Sequence, residues 1–439
     1  MASLEALKAL AKDELVQLAE EGAAVEDLGR ALQMAYEKSE DLQVEALDVF
    51  WREAAILRDS AARGAEEPSD LQGIQAARPD GPRRLPMADG DKLTDRIHGA
   101  WLGRCAGCML GKPVEGWTRE KIERLLESAD AYPLDNYFPV VEDLPEGLQW
   151  HPSGNDCLLG NITHSVRDDD TDYTILGLHV LEAHGQQFTP QDVANEWLLR
   201  LPYHRTYTAE RVAYRNFVND VWPPESAVLM NPYREWIGAQ IRADAFGYCA
   251  PGWPEKAAEF AFRDAMISHT KNGIYGEMFF AALIAACLAM QDLREAIEVA
   301  LTEIPVNCRL AEAVRDMMIW CDGSWEQTWD RVMEKYGHYH PVHTINNACL
   351  VLMGLLHANG DFTKAISIAV MGGLDTDCNG ATAGSVLGAL LGAEALPAKW
   401  TEPLDDTLHS ALEGMNVNSI SGLAQRTAEV AEKVLSGSR

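Results

Sequence analysis

Three short acidic stretches in this 439-residue chain carry the residue types that could do chemistry. The first is Glu115, just past a glycine-rich run that ends at Gly111-Lys-Pro113. The second is Asp168-Asp-Asp170, followed by Thr171 and Asp172. The third is Asp375-Thr-Asp377, followed by Cys378 and Asn379. Acids at a helix start serve as caps and suit the helix dipole. Asp168, Asp169, Asp170 and Asp172 exceed what one cap needs, and their mutual repulsion calls for a cation. All-oxygen ligands match a hard divalent ion, Mg²⁺ or Mn²⁺. Two such ions would bring five or six carboxylates near charge balance, and a two-metal site activates water and holds diol or phosphate oxygens.

The elements that must position these acids are legible in the glycine spacing. Gly380, Gly384, Gly388 and Gly392 recur every four residues, as do Gly99, Gly103, Gly107 and Gly111. Residues four apart share a helical face. Glycine weakens a helix, so two matched glycine faces predict two helices in close backbone contact. The first must end near Gly111, because Pro113 follows. No β-alternation of any length occurs, and the fold class is read as all-α.

Leucine stripes (Leu4, Leu7, Leu10, Leu15, Leu18; Leu47, Phe50, Trp51, Ala54, Leu57) predict a helical N-terminal appendage over residues 1–64. Residues 65–92, rich in Pro and Gly, read as a linker, and 93–439 as the main domain. Residues 128–165 read as a long functional loop segment. Aromatics interleaved with Arg and Asn over 200–255 suit stacking on a sugar or base. The terminal region is expected to hold helices near 405–413 and 420–435. His338-x-His340-x-x-His343 reads as an exposed loop rather than a metal site. Cys105-x-x-Cys108 lacks a second pair at zinc spacing and reads as small core residues.

Composition narrows the partners. The formal net charge is -30, which argues against nucleic acid and anionic membranes. Hydrophobic residues make up 47%, enough for a sizeable core, yet no long charge-free apolar run occurs. With no basic-then-apolar leader at the N-terminus and nine irregularly spaced cysteines, a reducing, cytoplasmic setting is expected. Oligomeric state is not readable.

Three of these motifs, in this order, resemble the ADP-ribosylglycohydrolase family. Gly103-Arg-Cys-Ala-Gly-Cys-Met-Leu-Gly-Lys-Pro-Val-Glu115 is similar to the family's glycine-rich first helix ending in Pro-x-Glu. Asp168-Asp-Asp-Thr171 is similar to its Ser/Thr-Asp-Asp-Thr, and Gly373-Leu-Asp-Thr-Asp-Cys378 to its Gly-Gly-Asp-Thr-Asp-Thr. The resemblance covers about residues 93–435 and implies an all-α domain with two divalent cations that cleaves an α-linked ADP-ribosyl bond. It implies Asp169, Asp170, Asp375 and Asp377 as metal ligands, and Glu115 as an acid beside the metal and a possible base, with Asp169 as the neighbouring catalytic candidate. Asp168 stands where the family has Ser/Thr and Cys378 where it has Thr/Ser, so both join the candidate ligands. Cys108 replaces the acid of the family's usual Gly-Asp. A thiol is a poor Mg²⁺ ligand, whereas Asp168 adds a hard one. Gly238, Gln240, Arg242, His269 and Asn379 are the implied substrate contacts. The implied substrate is an ADP-ribosylated side chain or related ribosyl adduct. A small N- or O-riboside, or ADP-ribose binding without catalysis, stand as alternatives.

Overall fold

The computed structural model describes residues 3–60, 66–87 and 92–437. Among these, the architecture is all-α: twenty α-helices and two three-residue strands. Two helices form its axis, the first glycine helix Leu93–Gly111 and the second, Thr376–Leu391. They run antiparallel. A Cβ on Gly103 would lie 2.1 Å from the Gly384 carbonyl oxygen, and one on Gly107 1.9 Å from that of Gly380. A Cβ on Gly111 would lie 2.1 Å from the Thr376 carbonyl oxygen, and the Thr376 hydroxyl donates to the Gly111 carbonyl at 2.8 Å. The expected backbone-close pair is therefore present, with the C-terminus of the first helix against the N-terminus of the second.

The helices Lys271–Cys287 and Thr344–Ala358 surround this pair and are buried along nearly their whole length. The last helix, Ile420–Ser436, packs on the first glycine helix, where the Trp101 indole donates to Thr427 Oγ1 at 3.0 Å. The helix expected near 405–413 is instead a strand, Thr407–His409, paired antiparallel with Val417–Ser419. Asp405 and Asp406 both have positive φ (46° and 48°), a backbone conformation that a helix cannot continue through. Asp406 instead accepts from the Ser421 amide at 2.7 Å, anchoring the start of the last helix.

The appendage folds as three helices, Leu4–Glu20, Glu26–Tyr36 and Glu40–Asp59, around its own core of Leu18, Leu28, Leu32, Leu47 and Phe50. It joins the main domain through buried charge. Arg234 meets Glu14 at 2.7 Å and Glu21 at 2.6 Å, and Gln17 donates to Glu235 at 2.9 Å. Arg309 bridges Glu67 at 2.8 Å and Glu235 at 2.6 Å. The described part of the stretch expected as a linker, residues 66–87, carries a helix, Leu71–Ala77, and is docked by Arg78 on Glu303 and Glu255.

Two tests follow from the packing. Gly107→Ala is expected to destabilise the chain by about 2 kcal/mol or more through overpacking against backbone, whereas Gly29→Ala, in an open helical position, is expected to stabilise slightly. Denaturant unfolding of both variants checks this; equal effects would contradict the close-contact account. Arg309→Met leaves Glu67 and Glu235 buried without their cation and is expected to cost about 3–5 kcal/mol. A loss under about 0.5 kcal/mol, the size of an ordinary surface change, would show that the seam is not held by this pair.

Candidate metal centre

The antiparallel glycine contact brings three chain segments to one cavity of about 590 Å³. From the end of the first glycine helix, the turn Lys112–Val114 delivers Lys112 and Glu115. From the start of the second come Asp375, Asp377 and Cys378. The helix Asp169–His184 supplies Asp168, Asp169 and Asp170. Asp168 is extended (φ -144°) and caps that helix, its carboxylate accepting from the Asp170 amide at 3.0 Å. The Asp375 loop turns through Gly373 (φ 78°) and Leu374 (φ 65°). It is tied to the Glu115 loop by the Gly116 amide donating to the Leu374 carbonyl at 3.0 Å and the Leu374 amide to that of Trp117 at 3.1 Å. Asn347 steadies the same loop by accepting from the Asp375 amide at 3.2 Å and from Asn379 Nδ2 at 2.9 Å.

Three groups of side chains each put one ligand atom within 4.8 Å of the others: Glu115 with Asp375 and Asp377; Asp170 with Asp377 and Cys378; and Cys108 with Asp168 and Asp170. Asp377 Oδ1 is buried without a hydrogen-bond partner. An orphaned buried carboxylate oxygen among other carboxylates fits a hard cation, since leaving it bare carries the full desolvation cost.

Protein cations already meet some of the acids. Lys112, 5% exposed, is ion-paired with Asp168. Arg104, wholly buried, lies 3.2 Å from Asp170 and 2.8 Å from Asp244, and also donates to the Asp170 carbonyl at 2.7 Å. Arg167 lies 2.7 Å from Asp172 and 4.0 Å from Asp169. Burial opposes ionisation of Asp168, yet Lys112 holds its carboxyl below the usual range. The neighbouring Asp377 charge, then burial, pushes Glu115 up to about 10. Burial, then the Asp168 charge, pushes Asp169 up to about 8. Burial and like charges push Asp170 and Asp375 well up, and the thiols of Cys108 and Cys378 with them.

The implied substrate contacts divide. Gly238 lines the cavity, and a Cβ there would meet Glu210 Oε1 at 2.0 Å. Gln240, Arg242, His269 and Asn379 are buried and do not line it. Gln240 accepts from Thr344 Oγ1 at 2.9 Å, and Arg242 pairs with Glu210 at 2.9 Å and with Asp264. His269 Nδ1 lies 2.8 Å from Ser268 Oγ. These four sit behind the wall. Lining residues that the sequence reading did not select include Lys112, His151, Arg205 and Tyr207. Lys112 had a signal, a lone basic residue between a glycine helix and an acid. His151 lies in the 128–165 segment read as a functional loop, and Arg205 and Tyr207 in the 200–255 stretch read as suited to stacking on a sugar or base, although none was singled out there. His343 is fully buried, contrary to its reading as an exposed loop residue, because it caps the helix Thr344–Ala358 by accepting from the Ile345 amide.

A family model described as ADP-ribosylglycohydrolase matches residues 89–434. A solved structure described as an ADP-ribosylglycohydrolase-related protein complex is similar at 20% identity with a TM-score of 0.47, covering 78% of this chain and 99% of its own. No curated protein matches. Among the described residues, no helix is long and apolar enough to cross a membrane.

The electrostatics predict a pH response. The metal-free folded chain holds protons on Asp169 and Glu115 up to about pH 8 and about 10, whereas the unfolded chain releases them near pH 4, roughly the model-peptide value. Between those limits the folded state binds more protons, so stability falls as pH rises. Thermal melts from pH 5 to 9 are expected to show a falling Tm, and Mg²⁺ or Mn²⁺ to remove most of the fall. Asp377→Asn is expected to raise the metal-free Tm and abolish the cation-induced shift; a full cation response in this variant would contradict the assignment.

Proposed function

The chain belongs to the ADP-ribosylglycohydrolase family, and from that premise we propose that it hydrolyses the glycosidic bond of an ADP-ribosylated side chain or related ribosyl adduct. The observation that carries this reading is the orphaned Asp377 oxygen beside Asp375 and Glu115 at an accessible cavity. A divalent cation held there, Mg²⁺ or Mn²⁺, supplies Lewis-acid polarisation of a sugar hydroxyl or water. Asp375, Asp377 and Glu115 are its proposed ligands, with Asp170 and Cys378 next to them.

Glu115 has its side chain 38% exposed and lies 3.5 Å from His151 Nε2. The Asp377 charge is the largest cause of its raised pKa. With that charge neutralised, Glu115 is a carboxylate open to the cavity, able to accept the proton of the attacking water. Asp169 faces the same space and, pushed up to about 8, carries a proton at neutral pH. It is placed to give that proton to the departing nitrogen or oxygen as the bond to ribose C1 breaks. Water then supplies the new C1–OH; Glu115 gains the proton that water loses, Asp169 loses the one that the leaving group gains, and exchange with solvent returns both to their starting states. Arg205 and Tyr207, exposed at the rim, offer donors to an anionic substrate.

The reading is tested by mass spectrometry on ADP-ribosyl-arginine and ADP-ribosyl-serine peptides, with Mg²⁺, Mn²⁺ or EDTA. Metal-dependent release of free ADP-ribose is expected, lost to background in Asp375→Ala and Asp377→Ala. Asp169→Asn is expected to lower kcat by about 10²- to 10⁴-fold, the usual share of general acid–base catalysis. Activity retained in EDTA or in the Asp377→Ala variant would sink the proposal.

A further inference from the structure

Of the eight carboxylates that line the cavity, the six of the acidic cluster do not share one electrostatic fate. Asp168 has both oxygens engaged, one by the Asp170 amide at 3.0 Å and one by Lys112. Asp170 is held by Arg104, whose guanidinium is wholly buried and has no route to solvent. Asp169 has Arg167 4.0 Å away. Among the described residues, Glu115, Asp375 and Asp377 have no arginine or lysine among their ion pairs; their one such neighbour is the His151 imidazole, 3.5 Å from Glu115, whose pKa burial lowers. The one orphaned carboxylate oxygen in the set, Asp377 Oδ1, belongs to this second trio.

Of the two other groups, Asp170 with Asp377 and Cys378 shares Asp377 with this trio, and the one between Cys108, Asp168 and Asp170 is differently furnished. Its third donor is a buried thiol, 2% exposed. Sulfur is too soft a donor for Mg²⁺. Its carboxylates are those already paired with Lys112 and Arg104. The ammonium of Lys112 is a compact point charge with three donors. It comes from the residue directly after the first glycine helix, which fixes it beside Asp168 and Cys108.

We propose that this chain binds one divalent cation, at Glu115, Asp375 and Asp377, and that the Lys112 ammonium occupies the place of a second. The inference rests on the hydrolase reading and replaces the two cations expected from the sequence with one. Lys112 pairs with Asp168, Arg104 is shared by Asp170 and Asp244, and Arg167 lies 2.7 Å from Asp172 and 4.0 Å from Asp169, so every ion pair made by a lysine or arginine falls on the Asp168–Asp172 side of the cluster. A second divalent ion would have to displace an ammonium that is covalently part of the chain. In the substrate complex Lys112 then provides fixed hydrogen-bond donors where a second ion would have offered exchangeable coordination.

The test is metal content, which does not depend on turnover. Full-length protein is loaded with Mn²⁺ and desalted. Bound manganese is then measured by mass spectrometry and by electron paramagnetic resonance, which separates an isolated Mn²⁺ from a coupled pair. One isolated Mn²⁺ per chain is expected for the wild type and for Lys112→Arg, which keeps the charge. Lys112→Met, folded by circular dichroism, is expected to take up a second, more weakly held Mn²⁺. Two ions in the wild type would overturn the inference and leave the hydrolase reading standing. No bound ion would overturn both. A folded Lys112→Met that still holds only one would show that Lys112 is not what excludes the second. If Lys112→Met does not fold, the wild-type count alone decides.

Discussion

The contact of two glycine-faced helices at backbone distance is the constraint on which the site depends. Side chains hold helices 8–10 Å apart; removing them at Gly103, Gly107, Gly380 and Gly384 lets carbonyls and Cα atoms meet directly. The antiparallel register follows from which glycines meet, and it places the C-terminus of one helix against the N-terminus of the other. Glu115 and Asp375–Asp377 become neighbours for that reason, although about 260 residues separate them, and the Thr376 hydroxyl on the Gly111 carbonyl locks the last step. A rigid pair buried at the axis of the molecule suits a site whose ligands must stay within a fraction of an ångström.

Concentrating carboxylates there has an electrostatic consequence. Like charges in a water-poor setting resist joint ionisation, so each must be protonated, paired or bound to a cation. The chain uses all three answers, with Lys112 and Arg104 built in as permanent partners and the Asp377 face left to be neutralised from outside. The appendage contributes to the opposite wall. Glu14 and Glu21 hold Arg234 by buried ion pairs, Gln17 donates to Glu235, and Glu20 accepts from the His340 amide. One to three residues further along, Ile237, Gly238, Pro341 and Val342 line the cavity, joined by the Ile237 amide donating to the Val342 carbonyl at 2.9 Å. The first sixty residues thus brace one side of the site from behind.

Much of this could be read from the residues themselves. Four-residue glycine spacing is a strong signal because nothing else in a helix calls for it, and acids clustered beyond the need for capping marked the three segments that meet at one cavity. What stayed hidden was long-range partnership. Nothing local distinguishes Gln240 or Arg242, which are buried behind the wall, from Gly238, which lines it; that depends on which way each side chain turns from one short helical turn. The Pro- and Gly-rich composition of 65–92 gave no sign that Arg78 and Arg83 would find Glu303. The strand at Thr407–His409 depends on two successive aspartates at positive φ, a conformation open to Asp but not announced by it.

The measurement that bears most directly on the account is a crystal structure of the full chain grown with Mn²⁺, with the ion located by its anomalous scattering. The account predicts one strong peak in contact with Asp375, Asp377 and Glu115, with the two glycine helices in register as described. An ion found only elsewhere, or none under saturating Mn²⁺, would contradict the claim that the glycine contact exists to build a cation site.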